Sequence, residues 1–218
     1  MEDNYWINRW KQNEIGFHQD EVNPYLRQYW DTLHIAHGDK VFVPLCGKSR
    51  DMIWLHEQGH AVLGIELSEF AVHTFFKEND LVPQHVIRGQ FNHYETDGIT
   101  ILHGNFFELG QADLKDVRAV YDRAAMVALP PEMRKRYVHH LATILPSATK
   151  ILLITFDYPQ SEMAGPPYAV SPEEVQALYH DHAEIQLLAK LDVLEQNQRF
   201  RERGLSRIQE AIFLLTLR

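Results

Sequence analysis

Val41-Phe-Val-Pro-Leu-Cys-Gly-Lys-Ser49, followed by Gly64-Ile-Glu66, decides the fold. An apolar run enters a tight turn of small residues, a helix-compatible segment follows, and a second apolar run ends on an acid. α/β proteins build a nucleotide-shaped pocket this way, at the carboxyl end of a sheet. Working outward, Val41–Val43 and Ala61–Ile65 read as strands. Ser49 caps a helix reaching about Gln58, with Asp51 in its first turn and Gly59 as its stop. Ser68 caps a second helix, from Glu69 to about Asn79. Asp97-Gly98, between Phe91–Glu95 and Ile99–His103, is a hairpin signal. Val117–Tyr121 is another strand, Pro131 opens a helix to about Leu145, and Lys150–Phe156 is a strongly apolar strand. Ser171 caps a helix from Pro172 to about His180. Glu184–Leu191 and Ile208–Leu217 read as an antiparallel pair. The expectation is an α/β fold with a mostly parallel, seven-stranded sheet, helices on both faces and an antiparallel C-terminal hairpin. Residues 1–37 read as a helical, amphipathic cap or lid on a single domain spanning 1–218, carried by Tyr5, Trp6, Trp10, Tyr25, Leu26, Tyr29, Trp30 and Leu33.

The 218 residues are 45% hydrophobic and 23% charged, which is enough apolar material for a sizeable core. The formal net charge of -9 argues against nucleic acid or an anionic membrane as partner. No 18-residue apolar run predicts a membrane span. The start, Met1-Glu-Asp-Asn-Tyr-Trp6, lacks the basic and apolar regions of a signal peptide. Cys46 is the single cysteine, so no internal disulfide forms, and the expectation is a reducing cytoplasm. The 13 histidines form neither HExxH nor a Cys/His cluster, so no metal is expected.

Three readings of the first turn compete. A dinucleotide site wants G-x-G-x-x-G so that backbone can approach a pyrophosphate, but only Gly47 is present and Pro44 removes an amide donor. A P-loop wants G-x-x-x-x-G-K-[ST]; Gly47-Lys48-Ser49 matches its second half, while the first glycine would fall at Phe42. The third reading is a nucleoside without phosphates. One glycine then suffices, since no multiply charged group needs a nest of amides, and Glu66 can take the ribose. S-adenosylmethionine fits that description. In Gly104-Asn-Phe-Phe-Glu-Leu109, Phe106 or Phe107 could wall an adenine face and Asn105 could bond its edge. Asp122 and Arg123, in Val120-Tyr-Asp-Arg-Ala124, lie at a strand's carboxyl end, where open α/β sheets bind ligands.

With these residues assembled, the chain resembles the bacterial form of the thiopurine S-methyltransferase family over nearly its whole length. The resemblance rests on Trp6-Ile-Asn-Arg-Trp10, Gly16-Phe-His-Gln19, Val43-Pro-Leu-Cys-Gly-Lys48, Gly64-Ile-Glu66, Gly104-Asn-Phe-Phe107, Tyr121-Asp-Arg-Ala-Ala125, Ala128-Leu-Pro-Pro131 and Ile212-Phe-Leu-Leu-Thr216. It implies a Rossmann-like class I methyltransferase fold and a soluble enzyme moving the methyl of S-adenosylmethionine to a small-molecule thiol. Separately, a cytoplasmic monomer is expected. Some bacterial relatives are linked to selenium and tellurium compounds. The resemblance implies cofactor contacts from Trp10, Leu45, Gly47, Glu66, Asn105, Phe106 and Arg123. It implies acceptor contacts from Phe17, Arg123, Pro166, Pro167 and Arg199.

For chemistry, Arg123 is the expected catalytic residue, because a nearby cation favours the thiolate form of the acceptor. A guanidinium stays protonated and is no base. Asp122 is expected to orient Arg123. Cys46 reads as packing in the turn rather than as a nucleophile, and His18 as a structural histidine. Two rivals remain: methyl transfer to another small acceptor, and a non-catalytic cofactor-binding module.

Overall fold

The computed structural model describes residues 3–218, with side chains from Tyr5 onward; the first two residues of the expected cap lie outside them. The apolar runs form β1 (Lys40–Val43), β2 (Ala61–Glu66), β5 (Ile99–His103), β6 (Val117–Arg123) and β7 (Lys150–Asp157), all parallel in the order β5-β2-β1-β6-β7. Their near-continuous burial is what a sheet covered on both faces requires. Alternation sorts the side chains. Phe42, Leu63, Ile65, Val120 and Leu153 enter one core cluster, while Val41, Val43, Val62, Tyr121 and Leu152 enter the other.

The sheet has nine strands, not the expected seven. The hairpin strand β4 (Phe91–Glu95) pairs antiparallel with β5 through the Asp97-Gly98 turn and belongs to the same sheet. β3 (Gln84–Arg88) then pairs with β4 at the edge. Four of its five residues are exposed, so it carries no buried face for a sequence pattern to reveal. At the other edge, β9 (Gln209–Leu217) runs antiparallel to β7, and β8 (Ala183–Asp192) antiparallel to β9, as expected.

The N-terminal segment is less helical than expected. It comprises α1 (Asp3–Lys11), α2 (Pro24–Tyr29) and a single 3-10 turn, Trp30–Leu33. Asn13 adopts a left-handed conformation (φ 57°) just past the end of α1. Asn23, ahead of Pro24, is held out of the helical region and caps α2, accepting from Tyr25 N at 2.9 Å. The stretch between is irregular and runs over the sheet's carboxyl end. Helix α3 (Asp51–Glu57) has Arg50, not the expected Ser49, at its N-cap position; the Ser49 hydroxyl accepts from Asp51 N at 3.3 Å, and Gly59 (φ 86°) ends the turn. Ser68 caps α4 (Glu69–Glu78), accepting from Ala71 N at 3.3 Å, and Ser171 caps α7 (Pro172–Tyr179). The short α5 (Gln111–Leu114), the long α6 (Pro131–Ile144) and the short α8 (Gln198–Glu202) complete the order. Because β1 sits between β2 and β6, the chain leaves it in one direction and later returns on its other side. A crevice opens at that switch point.

Candidate active site

The crevice floor is the turn after β1. Leu45 (φ 46°) and Gly47 (φ 53°) both take left-handed backbone, and Cys46 N is anchored to Ile65 O at 2.9 Å. For Gly47 the missing side chain has a second use. A Cβ there would meet Trp10 Cζ2 at 2.8 Å, so the indole packs closely against the turn. Cys46 Sγ packs against Gly64, where a Cβ would stand 2.7 Å away. Burial, with the charge of Glu66, raises that thiol well above its ordinary value, as a packing residue requires.

Glu66 ends β2 almost fully buried. Its Oε2 accepts from Gly47 N at 2.8 Å and its Oε1 from Ser68 N at 2.7 Å. Burial pushes its carboxyl up, and the backbone amides of Ser68, Gly47 and Leu67 oppose that. Each oxygen still has a lone pair to offer, so the carboxylate can accept two further hydrogen bonds from a vicinal diol.

At the end of β6, successive side chains alternate across the sheet. Tyr121 and Arg123 point to the crevice side and converge on Asp51. The Tyr121 hydroxyl donates to Asp51 Oδ2 at 2.9 Å, Arg123 Nε donates to the same oxygen at 3.2 Å, and Asn23 N donates to Oδ1 at 2.8 Å. Asp122 points the other way. It is fully buried, accepting from the Tyr137 hydroxyl at 2.7 Å and from Met126 N at 3.1 Å. The expectation that Asp122 orients Arg123 is therefore corrected: Asp51 does so, because neighbours on a strand cannot share a face. Burial lifts the Asp122 carboxyl to about 6 despite the Tyr137 and Met126 bonds.

The irregular N-terminal stretch forms the roof. Phe17 meets Trp6 and Trp10 edge-on, with ring centroids 5.5 and 5.4 Å apart. Its carbonyl accepts from Arg123 Nη1 at 3.5 Å. Arg199, on α8, donates to the Gly16 carbonyl and so ties the roof to the C-terminal part of the chain. Pro166 and Pro167 form part of the rim, with the Pro167 carbonyl accepting from the Tyr158 hydroxyl at 2.5 Å. On the opposite side, Asn105 caps its own turn by accepting from Phe107 N at 3.0 Å. Phe106 is buried against Tyr137, and Phe107 lies under the Arg136 guanidinium at 4.8 Å. His18 lines the same space, and burial together with Lys48 holds its imidazole below its ordinary value.

One cavity of about 460 Å³ gathers Trp10, Phe17, Leu45, Gly47, Glu66, Asn105, Phe106, Arg123, Pro166, Pro167 and Arg199. That size suits a small-molecule site. Asp122 does not line it. Trp6, Arg136 and Glu210 do, and none of them stood out in the sequence as a site residue; Asp51 was legible only as a helix-start charge.

The family Thiopurine S-methyltransferase (TPMT) matches residues 1–218. This chain belongs to the thiopurine S-methyltransferase family. Within the family it is 60% identical to a thiopurine S-methyltransferase of Nitrosospira multiformis, across 100% of this chain and 99% of that one. It is 51% identical to a namesake from Pseudomonas aeruginosa strain UCBPP-PA14, across 99% of both. The fold is shared more widely. A SAM-dependent methyltransferase from Anabaena variabilis superposes with a TM-score of 0.67 at 12% identity, covering 99% of this chain and 95% of that one. A Burkholderia thailandensis 1,6-didemethyltoxoflavin-N1-methyltransferase, solved with S-adenosylhomocysteine, does so with a TM-score of 0.64 at 15% identity, covering 98% and 86%. These two likenesses establish the Rossmann-like methyltransferase fold.

Proposed function

We propose that this protein transfers the methyl group of S-adenosylmethionine to the sulfur of a small aromatic or heterocyclic thiol, thiopurines included. One observation carries the reading: a single cavity joins the Glu66–Gly47 floor to Arg123 and to an aromatic roof of Trp6, Trp10 and Phe17. The floor fits a nucleoside without phosphates, because it offers a carboxylate for a diol and no run of amides for a pyrophosphate. When bound, the cofactor supplies a sulfonium whose methyl is already electrophilic.

In this reading Glu66 accepts from the ribose hydroxyls, Leu45 and Gly47 present backbone, and Asn105 with Phe106 faces the adenine. Trp10 packs on the methionine side. Phe17, Pro166, Pro167 and Arg199 wall the acceptor, and Arg123 lies between the two ligands. Catalysis is mainly positioning, where effective molarities reach about 10⁵–10⁸ M in well-oriented systems. Arg123 favours the acceptor's thiolate through its charge, held in place by Asp51. The N-terminal stretch acts as a lid, and the protein works as a monomer in the cytoplasm. The test is radiolabelled S-adenosylmethionine with a panel of thiols, selenium and tellurium compounds, phenols and amines. Label on an aromatic thiol sulfur is the expected result. Label confined to oxygen or nitrogen acceptors overturns the reading.

A further inference from the structure

Three carboxylates line the cavity, and two are already committed. Glu14 pairs with Arg9 at 3.3 Å near the surface. Glu66 is held by two backbone amides. Among the described residues the third, Glu210, is held by neither an ion pair nor backbone amides; the Tyr25 hydroxyl is the group against it. Arg123, the cation whose charge acts on it, makes its ion pair with Asp51 instead.

The sheet register puts Glu210 on the reacting side. Arg123 stands opposite Ile154, Ile154 opposite Ile212, and Glu210 is two residues from Ile212 along β9. Two residues along a strand returns to the same face. Glu210 thus shares the crevice face with Tyr121, Arg123 and Ile154, beside cavity-lining Phe156, its own cross-strand partner. The groups facing it are the Tyr25 hydroxyl from α2 and Arg123 from β6. Burial raises its carboxyl above the ordinary glutamate range, and Tyr25 and Arg123 oppose this without cancelling it. A half-buried carboxylate of this kind is a better proton acceptor than an exposed one.

Weakly acidic acceptors need one: a thiol with the cysteine pKa of about 8.5 is largely protonated at neutral pH. Arg123 alone is a reduced lever, since Asp51 already offsets its charge.

We infer that Glu210 is the general base for acceptors that arrive as neutral thiols, an inference that rests on the thiol-methylation reading above. The thiol proton passes to the Glu210 carboxylate. The sulfur lone pair forms the new carbon–sulfur bond, and the bond from the methyl carbon to the sulfonium sulfur breaks, its electron pair staying on that sulfur. Glu210 then returns the proton to water.

The test uses a series of substituted aryl thiols whose acidities run from below to above the assay pH. With wild-type protein, kcat/KM varies little across the series. In Glu210→Gln the loss grows with thiol pKa, reaching about 10²–10⁴-fold for the weakest acids, and Glu210→Asp recovers part of it. A second readout is independent of turnover. A fully ionised thiolate binding beside Glu210, in the presence of S-adenosylhomocysteine, takes up a proton, measured by calorimetry in two buffers of different ionisation heat. Glu210→Gln takes up none. A uniform loss across all thiols with unchanged proton uptake overturns the assignment. Failure of the wild type to methylate any thiol instead sinks the reading on which it rests.

Discussion

Removing the Asp51 carboxylate should loosen the whole crevice at one point. Asp51→Ala deprives three donors of their acceptor at once: Asn23 N, the Tyr121 hydroxyl and Arg123 Nε. The Asp51 side chain is 1% exposed and that of Arg123 13%, so water is poorly placed to substitute. Breaking a buried ion pair by deleting one partner costs about 3–5 kcal/mol. The neutral donors add to this, though not in full, because the three bonds share one carboxylate. Against a total stability of roughly 5–15 kcal/mol, the variant stays folded under mild conditions but is strongly weakened. At about 2–4 °C per kcal/mol for a chain of this size, the melting temperature should fall by roughly 6–20 °C. Asp51→Asn keeps one acceptor oxygen and should lose about half as much. Both should reduce kcat/KM for the acceptor more than they reduce cofactor affinity, because Arg123 loses its anchor while Glu66 is untouched. Thermal denaturation by circular dichroism, with cofactor calorimetry and acceptor kinetics, measures all three quantities. An Asp51→Ala protein melting within about 2 °C of wild type, with unchanged acceptor kinetics, would refute the role given to this carboxylate.

Glu66→Ala should weaken S-adenosylmethionine binding by about 1.5–3 kcal/mol per lost charge-assisted bond; undiminished affinity in calorimetry would remove Glu66 from the ribose. Asp122 gives a pH signature. Its carboxyl ionises near 3.8 ordinarily and near about 6 in the fold. Between those values the unfolded chain holds fewer protons, so this group's contribution falls as pH rises, by an order of ~3 kcal/mol in all, and is fully lost above pH 6. Urea denaturation from pH 4 to 7 should show Asp122→Asn relatively flatter than wild type; parallel curves would contradict the assignment. Cys46→Ala should retain turnover, and native Cys46 should react with a thiol reagent far more slowly than after denaturation. Abolished turnover in a folded Cys46→Ala protein would reopen a nucleophilic role.

What was legible in the sequence was what is local. The turn from Val43 to Gly47, the acid closing β2, the caps Ser68 and Ser171 and the apolar strands are each specified by a few consecutive residues, and the fold places them as expected. Asp122 was misjudged for a reason that the sequence itself contained. Period-two alternation forbids residues 122 and 123 from facing the same partner. Asp51 and Glu210 were hidden for a different reason. Each gains its meaning from a neighbour far along the chain, Arg123 being 72 residues beyond Asp51. β3 was invisible because its residues bury almost nothing. The break in the N-terminal helix depended on Asn13 and the Asn23-Pro24 step, which outweighed the amphipathic pattern of the aromatic residues.

The roof is fastened by its main chain. Arg199 grips the carbonyl of Gly16 and Arg123 the carbonyl of Phe17, so neither tether depends on the side chain at position 17. The fastening and the lining are chemically separate. Residue 17 can exchange one apolar shape for another, redrawing the space an acceptor must fill, while both arginines keep their grip. Such a site can drift among acceptors without coming undone.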